Sequence, residues 1–292
     1  MPHTNRKKKS GARDTGEEAE KTKKIAQSTK RKQIEDGEGW THVVGGGKKT
    51  GAAETWTHAG DFVKDGVTYI ERSMEEMQAD LENFRKQWES SEAAGQLKKI
   101  LHGRSKVNSV VCLGLGSLQS ARREGRRSSY TQLAALMMII EEFGELCLES
   151  LVGDPRTNYI LGGMGEDKIQ CIFQDPQNTE GDKEFFTSLG GKVVDDPLAF
   201  DYIKEDTLVY AIHCYGPVYK TVSQGPRPAV LIGTDVDNFS NLWLLLTIRR
   251  SKTETLEQHL DDMIKDCEII NFPQLRHDFS DTKIYWRNKP TV

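Results

Sequence analysis

The sequence has no apolar run long enough to span a bilayer, which needs about 20 residues. Its longest run, at 242–248, contains Thr247 and is followed by Arg249 and Arg250. The N-terminus also lacks the apolar core of a secretory signal peptide. We therefore expect a protein that neither crosses a membrane nor is exported.

Cysteine is scarce, with 5 residues in 292, and no two of them form a Cys-x-x-Cys pair. No group of His and Cys has the spacing of zinc ligands either. These absences argue against a disulfide framework and a metal site. Few, scattered cysteines are typical of cytoplasmic or nuclear proteins, in which the thiols are reduced. The cysteines are Cys112, Cys147, Cys171, Cys214 and Cys267.

Aliphatic side chains are few in residues 1–55, which are rich in Lys, Gly, Glu and Thr. Such a segment buries too little apolar surface to offset the entropy of ordering, so we expect a disordered tail around a short apolar island at 40–44. Its basic runs, at 6–9, 21–24 and 30–32, are typical of nuclear import signals or of a solvated tail. The rest of the chain has no comparable basic patch with interleaved aromatic residues, so we expect no nucleic-acid partner.

Apolar residues recur at steps of three and four in the segment 56–105, as they do on one face of a helix. The pattern predicts a long helix over 69–101. Its apolar face would pack on the rest of the domain, or pair with a second copy of the chain in a structural adaptor. The residues of the pattern are Ile70, Met74, Met77, Leu81, Phe84 and Trp88.

Residues 106–292 alternate short apolar runs with helical segments. Because parallel strands need crossover connections, the alternation predicts an α/β fold with a Rossmann-like, doubly wound, mostly parallel sheet. Helices are expected over 129–151, 180–189, 217–223 and 239–266. Strands are expected at 109–113, 168–174, 192–194, 207–212 and 229–232, with edge strands at 268–272 and 283–286.

The most informative stretch is SVVCLGLGS, an apolar run that ends in Gly114, Leu115, Gly116 and Ser117. A strand followed by a Gly-x-Gly turn is how a Rossmann-like sheet opens onto its first helix, where backbone N–H groups approach a phosphate or ribose. Asp175 ends the second strand, where a carboxylate would accept hydrogen bonds from ribose hydroxyls. Asp175 lies 59 residues beyond Gly116 instead of the usual ~20, and an insertion near 153–167 would account for the excess. A tight strand-to-helix turn explains the two glycines about as well as a ligand loop does, and an Asp-Pro turn is the alternative for Asp175.

Residues that follow the other strands complete the candidate site, because open parallel sheets bind ligands at the carboxyl ends of their strands. Asp196, or the neighbouring Asp195, would lie near the base of a bound nucleoside. His213 is the candidate general base. Cys214 is expected to be a buried thiol, since adjacent strand residues point to opposite faces and do not readily share a proton. The last of these strand ends carries Gly233, Thr234 and Asp235.

The segment 122–129, Arg-Arg-Glu-Gly-Arg-Arg-Ser-Ser, follows the glycine turn. We expect an inserted surface loop here. Its guanidinium groups would either clamp a phosphate or an acidic partner, or simply be solvated. Ser128 and Ser129, which follow two arginines, also look like protein-kinase substrate sites.

Six motifs in this order resemble the Sensitivity to Red light Reduced family, over about residues 38–290. They are Gly39-Trp-Thr-His-Val-Val44, Val111 to Ser117 with Gln132-Leu133-Ala134, Gln174-Asp175-Pro176, His213-Cys214, Leu231-Ile232-Gly233, and Phe279-Ser-Asp281-Thr282 followed by Ile284 and Trp286. The chain departs from the family's pattern in the segment 122–129 and at 235–238, where the family usually has an Asn-Ser-Phe type of turn.

The resemblance implies a regulatory protein of the cytoplasm and nucleus that acts through protein partners, with circadian clock input and light signalling in plant members. It supplies no catalytic residues. For the crevice we expect a nucleotide-like or S-adenosylmethionine-like ligand held by Gly114, Gly116, Ser117, Asp175 and Asp196. The alternatives are an S-adenosylmethionine- or nucleotide-dependent enzyme, such as a methyltransferase, and the helix-mediated adaptor.

Overall fold

The computed structural model describes residues 31–35, 41–45, 60–143, 169–239 and 254–288. The chain divides into two compact units, Met1–Trp56 and Thr57–Val292. In the first unit, β1 (Arg31–Glu35) pairs with β2 (Thr41–Gly45) in an antiparallel ladder. The remainder of the predicted tail, with the basic runs at 6–9 and 21–24, lies outside the described residues.

The second unit opens with a hairpin that the periodicity did not predict, formed by β3 (Asp61–Lys64) and β4 (Val67–Ile70). Asp65 and Gly66 join the strands with φ of 51° and 75°. An Asp-Gly pair suits this turn because both of its central residues need a positive φ. The sequence signal for the hairpin is therefore the Asp65-Gly66 pair, which lies just before the predicted helix.

The single helix predicted over 69–101 is wrong, because two helices, α1 (Met74–Glu89) and α2 (Glu92–Leu101), occupy the segment. Ser90 ends α1, and the side chain of Ser91 accepts a hydrogen bond from a backbone N–H at the start of α2. A serine in this position stabilises a helix start by about 1 kcal/mol, which favours the break.

The apolar face of α1 is used inside the chain. Met77, Leu81 and Trp88 are buried in the core, where α1 packs against α3 (Arg123–Phe143). This is the first of the two roles expected for the face. A dimerising adaptor helix would need the same side chains exposed.

A seven-stranded sheet forms the centre of the unit, in the spatial order β10-β11-β9-β8-β5-β6-β7. Five neighbouring strands are parallel, namely β9, β8, β5, β6 and β7. The strand β11 runs antiparallel to both β9 and β10. The predicted doubly wound, mostly parallel sheet is confirmed. The strands are β5 (Ser109–Leu113), β6 (Gln170–Gln174), β7 (Lys192–Val193), β8 (Thr207–Ala211), β9 (Val230–Thr234), β10 (Cys267–Asn271) and β11 (Thr282–Arg287).

Apolar clusters cover both faces of the sheet, because successive residues of a strand point to opposite sides. In β5, Val110 and Cys112 belong to the cluster that contains α3, and Val111 and Leu113 belong to the other. The remaining helices are α4 (Glu180–Ser188), a 3-10 helix (Leu198–Tyr202), α5 (Gly216–Gln224) and α6 (Glu254–Ile264). Phe185 of α4 lies on the α3 side, and the last three helices lie on the opposite side.

The first crossover helix begins earlier than predicted. The helix expected over 129–151 is α3, which starts at Arg123, so the segment 122–129 is largely helical and the predicted loop is wrong. Arginine is a good helix former, and Arg127 and Ser128 in these first turns contact the buried Asp278, so long-range contacts hold this end of the helix. Residues 144–168, with the predicted continuation of the helix and Cys147, lie outside the described residues.

Candidate functional site

The glycine turn after β5 needs glycine at both positions. Gly114 has φ of +68° and Gly116 has φ of +82°, in the left-handed region that other residues rarely adopt. A Cβ atom on Gly114 would lie 2.6 Å from Cys214 Sγ, and one on Gly116 would lie 2.7 Å from Ser129 Oγ. The turn is therefore packed tightly between the residues that follow β8 and the first turns of α3.

Asp175 reaches this turn from the neighbouring strand. The backbone N–H of Gly116 donates to Asp175 Oδ2 at 2.6 Å, and the N–H of Gln177 donates to Oδ1 at 2.7 Å. Burial raises the pKa of the Asp175 carboxyl, partly offset by these two hydrogen bonds, and the nearby Asp182 raises it further. The structure thus brings together Gly114, Gly116 and Asp175, although 59 residues separate the last two in the chain.

Ser117 points away from the turn and into the protein. Its hydroxyl donates to Asp182 Oδ2 at 2.6 Å, and Asp182 also accepts from the N–H of Leu118 at 2.9 Å and from the N–H of Thr179 at 2.8 Å. Asp182 is fully buried, and burial raises its pKa despite these bonds. The carboxylate ties the glycine turn to the start of α4, so the hydroxyl of Ser117 is engaged in structure.

Asp182 was missed in the sequence, although a signal for it exists. Thr179 and Asp182 have the spacing of a capping box, and the structure contains that box at the start of α4. The second role of Asp182, as acceptor for Ser117 and Leu118, depends on segments more than 60 residues away. No local pattern carries that information.

Asp196 and Asp195 lie at the ends of β6 and β7. Asp196 Oδ1 accepts from Gln174 Nε2 at 2.7 Å, and Gln174 Oε1 in turn accepts from the N–H of Ala199 at 2.7 Å. Asp195 is largely exposed and lies 3.4 Å from Lys183 Nζ. Asp196 therefore orients the side chain that anchors the 3-10 helix beside the crevice.

His213 and Cys214 point to different partners, as expected for adjacent residues. His213 has φ of +55°, and its Nε2 lies 2.9 Å from the carbonyl oxygen of Ser280. A carbonyl only accepts, so Nε2 carries the proton in this contact. The Cys214 thiol donates to the carbonyl of Leu113 at 3.3 Å, and burial raises its pKa to about 12. The two side chains do not form a nucleophilic pair.

The carboxyl end of β9 is filled by tyrosine side chains. The N–H of Thr234 donates to the Tyr219 hydroxyl at 2.5 Å, and a Cβ atom on Gly233 would lie 2.5 Å from that oxygen. Asp235 Oδ2 lies 3.6 Å from Lys283 Nζ. The neighbouring N–H of Val236 donates to the hydroxyl of Tyr285 at 2.9 Å. The polar groups that follow β9 are therefore occupied by contacts within the protein.

The arginines at the start of α3 divide into two pairs. Arg126 donates to the carbonyl of Ser120, and Arg127 lies 3.3 Å from the carboxylate of the buried Asp278. Arg122 and Arg123 are exposed. Ser128 donates to Asp278 at 2.6 Å and Ser129 is buried, so neither serine lies in the exposed loop that a kinase would need.

The hairpin of β3 and β4 lies against the glycine turn. The N–H of Ile70 donates to the carbonyl of Gln119 at 2.8 Å, and Lys64 Nζ donates to the carbonyl of Asn178 at 2.7 Å. Tyr69 is buried, and its pKa is raised by that burial and by the nearby Asp182 and Asp175. The hairpin thus contributes a wall to the region around both carboxylates.

No group of three or more His, Cys, Asp or Glu side chains is placed to hold a metal ion in the described ranges. Among the helices described, none combines the length and the apolar content that crossing a bilayer would require.

Comparison with known proteins identifies the family. No curated protein matches the chain. A solved structure described as a methyltransferase from Geobacter sulfurreducens is similar with a TM-score of 0.33 and 14% identity, over 73% of this chain and 88% of that one. The model of the SRR1 domain matches residues 82–286, which include the glycine turn, Asp175, His213 and the closing strands. The chain therefore belongs to the SRR1 domain family.

Proposed function

We propose that this chain is a regulatory protein that binds a nucleoside-containing ligand beside the glycine turn and acts through protein partners. The observation that carries the proposal is the 2.6 Å hydrogen bond from Gly116 N–H to Asp175 Oδ2. It holds a carboxylate beside the turn where the order of the strands reverses, between β5 and β8. Ligands of open α/β sheets bind at that point.

The carboxylate of Asp175 keeps the capacity to bind a ribose. A carboxylate has about four lone-pair sites, and each oxygen of Asp175 uses one on a backbone N–H. One site on each oxygen remains for the two hydroxyls of a ribose. In this arrangement Asp196 lies toward the base, and Gly114 and Gly116 allow the ligand to approach the backbone.

The nucleophilic side chains near the turn favour binding over covalent chemistry. The hydroxyl of Ser117 donates to Asp182, and Nε2 of His213 donates to the carbonyl of Ser280. Because burial raises the pKa of Cys214 to about 12, this thiol stays protonated at neutral pH. Neither the hydroxyl of Ser117 nor the thiol of Cys214 is therefore an activated nucleophile, and His213 is paired with neither of them.

The regulatory role comes from the family to which the chain belongs. Its members are associated with regulation in the cytoplasm and nucleus, and in plants with light signalling and the circadian clock. We extend the regulatory role, the protein partners and this location to the present chain as part of the proposal. The ligand would then change the affinity for a partner.

A thermal-shift panel on the full chain tests the ligand. The probes are S-adenosylmethionine, S-adenosylhomocysteine, nicotinamide dinucleotides, ATP and GTP. A ligand at ~100 times its Kd stabilises the folded state by about 2.7 kcal/mol, which is visible as several degrees. We expect at least one probe to raise the melting temperature.

The substitution Asp175→Asn then tests the site. It places an amide group where one backbone N–H needs an acceptor and removes the charge, so we expect the affinity for that probe to fall at least about tenfold. Asp261→Asn is the matched control, because it removes the same charge from an exposed position on α6 that the proposed site does not use. A panel without any shift, or an affinity unchanged by Asp175→Asn, would contradict the proposal.

An S-adenosylmethionine- or nucleotide-dependent enzyme is the second candidate, since the same contact between Gly116 and Asp175 would hold the nucleoside of a cofactor. Formation of S-adenosylhomocysteine, when the protein is incubated with S-adenosylmethionine and cell proteins, would favour the enzyme. Its loss in Asp175→Asn would assign the activity to this chain. Binding without turnover would favour the regulatory protein.

A further inference from the structure

Two large apolar side chains are exposed at the carboxyl edge of the sheet. Tyr215 is 76% exposed and Leu198 is 51% exposed. Leu198 begins the 3-10 helix, and Tyr215 is the residue that precedes α5. Single exposed apolar residues are ordinary on a protein surface. These two residues follow β7 and β8, at the edge of the sheet where the ligand is proposed to bind.

Both residues sit on the same face of the sheet. Ala199, next to Leu198, packs in the cluster that contains Leu113 and Ala211, and Cys214, next to Tyr215, packs against the same cluster. Burial of these neighbours fixes the backbone at both positions. The two exposed side chains are therefore carried on anchored segments.

The strand order sets the separation between the two segments. The N–H of Ala199 donates to Gln174 Oε1 at 2.7 Å, which places the 3-10 helix at the end of β6. Tyr215 follows β8, and β5 lies between β6 and β8. Neighbouring strands are about 4.8 Å apart, so the ends of β6 and β8 are separated by about 10 Å. A planar ring with a side chain on each side fits this gap.

We propose that Leu198 and Tyr215 hold the base of the nucleoside between them, and that they form its base-binding site. The inference rests on the proposed function, in which Asp175 binds the ribose of the same ligand. Asp175 directly follows Gln174, the residue that anchors the 3-10 helix, so the ribose and base positions are adjacent. Stacking of a base on an aromatic side chain is tolerant of base identity, and the ligand class is therefore a nucleoside or its derivatives, for which adenosine and guanosine serve as probes.

Calorimetric titration of the full chain with adenosine and guanosine tests the base-binding site. Loss of a stacking side chain weakens base binding roughly 5- to 100-fold. We expect Tyr215→Ala and Leu198→Ala to weaken the better of the two ligands by factors in this range. Tyr215→Phe keeps the ring and should retain the affinity. Because both side chains are exposed, the melting temperatures of the unliganded variants should not change.

Ile269→Ala provides the matched control, because Ile269 is 54% exposed on β10, at the far edge of the sheet. If the wild type binds a nucleoside and both Tyr215→Ala and Leu198→Ala bind it equally well, the base-binding site is wrong while Asp175 remains the ribose site. If the wild type binds neither adenosine nor guanosine, the base-binding site is also wrong. Binding of any other probe in the thermal-shift panel then decides the proposed function separately.

Discussion

Asp182 joins the glycine turn to the start of α4, and its removal should destabilise the whole second unit. Its carboxylate accepts from Ser117 Oγ at 2.6 Å, from Leu118 N–H at 2.9 Å and from Thr179 N–H at 2.8 Å. The side chain is fully buried, so water does not replace it readily. In Asp182→Ala, three donors lose their acceptor, one of them the N–H of Thr179 in the capping box, while Thr179 still caps α4 by accepting from the N–H of residue 182.

The magnitude follows from these contacts. A buried donor left without an acceptor costs about 1–3 kcal/mol, and such costs are not additive within one network. Burial disfavours the ionised carboxylate and raises its pKa, and relief of that penalty acts in the opposite direction. We expect a net loss of about 3–4 kcal/mol, which lowers the melting temperature of a unit of this size by about 6–16 °C.

Thermal melts of the full chain at pH 7, followed by circular dichroism, measure the effect. Glu180→Ala is the matched control, because Glu180 lies in the same first turn of α4 but its side chain is 81% exposed. The control should change the free energy of unfolding by no more than about 0.5 kcal/mol. If Asp182→Ala melts within about 2 °C of the wild type, the carboxylate does not hold the two segments together and the reasoning fails.

Two further predictions concern the packing of Cys214 against the glycine turn. Gly114→Ala should destabilise the protein by more than the about 1–2 kcal/mol that a left-handed φ costs, because its Cβ would lie 2.6 Å from Cys214 Sγ. In thermal melts, the double variant Gly114→Ala/Cys214→Ala should recover the part of the stability loss that exceeds the cost of the left-handed φ. A double variant no more stable than Gly114→Ala would refute the contact. With a pKa of about 12, Cys214 should react with iodoacetamide at pH 8 about 1,000-fold more slowly than an ordinary thiol, and faster as pH rises. Peptide mass spectrometry measures the rate against the denatured chain, and rapid labelling of the folded protein would contradict this environment.

The elements predicted well are those with strong local patterns. The strand expected at 109–113 coincides with β5, and the strands expected at 268–272 and 283–286 are β10 and β11, although only β10 lies at an edge of the sheet. Apolar runs of this length are typical of strands covered on both faces, and the clusters on either side of the sheet provide that cover. The alternation of strands and helices then leaves few arrangements other than a doubly wound sheet.

The elements predicted incorrectly depend on competition between local signals. The pattern over 69–101 is continuous on one helical face, but Ser91 caps a new helix and interrupts it. The segment 122–129 looks like a polar loop, yet Arg127 and Ser128 contact the buried Asp278, and the segment forms the first turns of α3. In both cases a cap or a long-range contact outweighs the pattern on which the prediction relied.

The sequence by itself determined the strands, the glycine turn and the strand ends where a ligand would bind, because these depend on side-chain period and on backbone conformation within a few residues. Only the tertiary structure decided what each polar group does there. It brings Asp175 to Gly116, turns Ser117 toward Asp182, and directs His213 to Ser280. These partners lie 59 to 67 residues apart in the chain, and a hydrogen bond is specified only when both groups have been placed by the packing of the sheet and its helices.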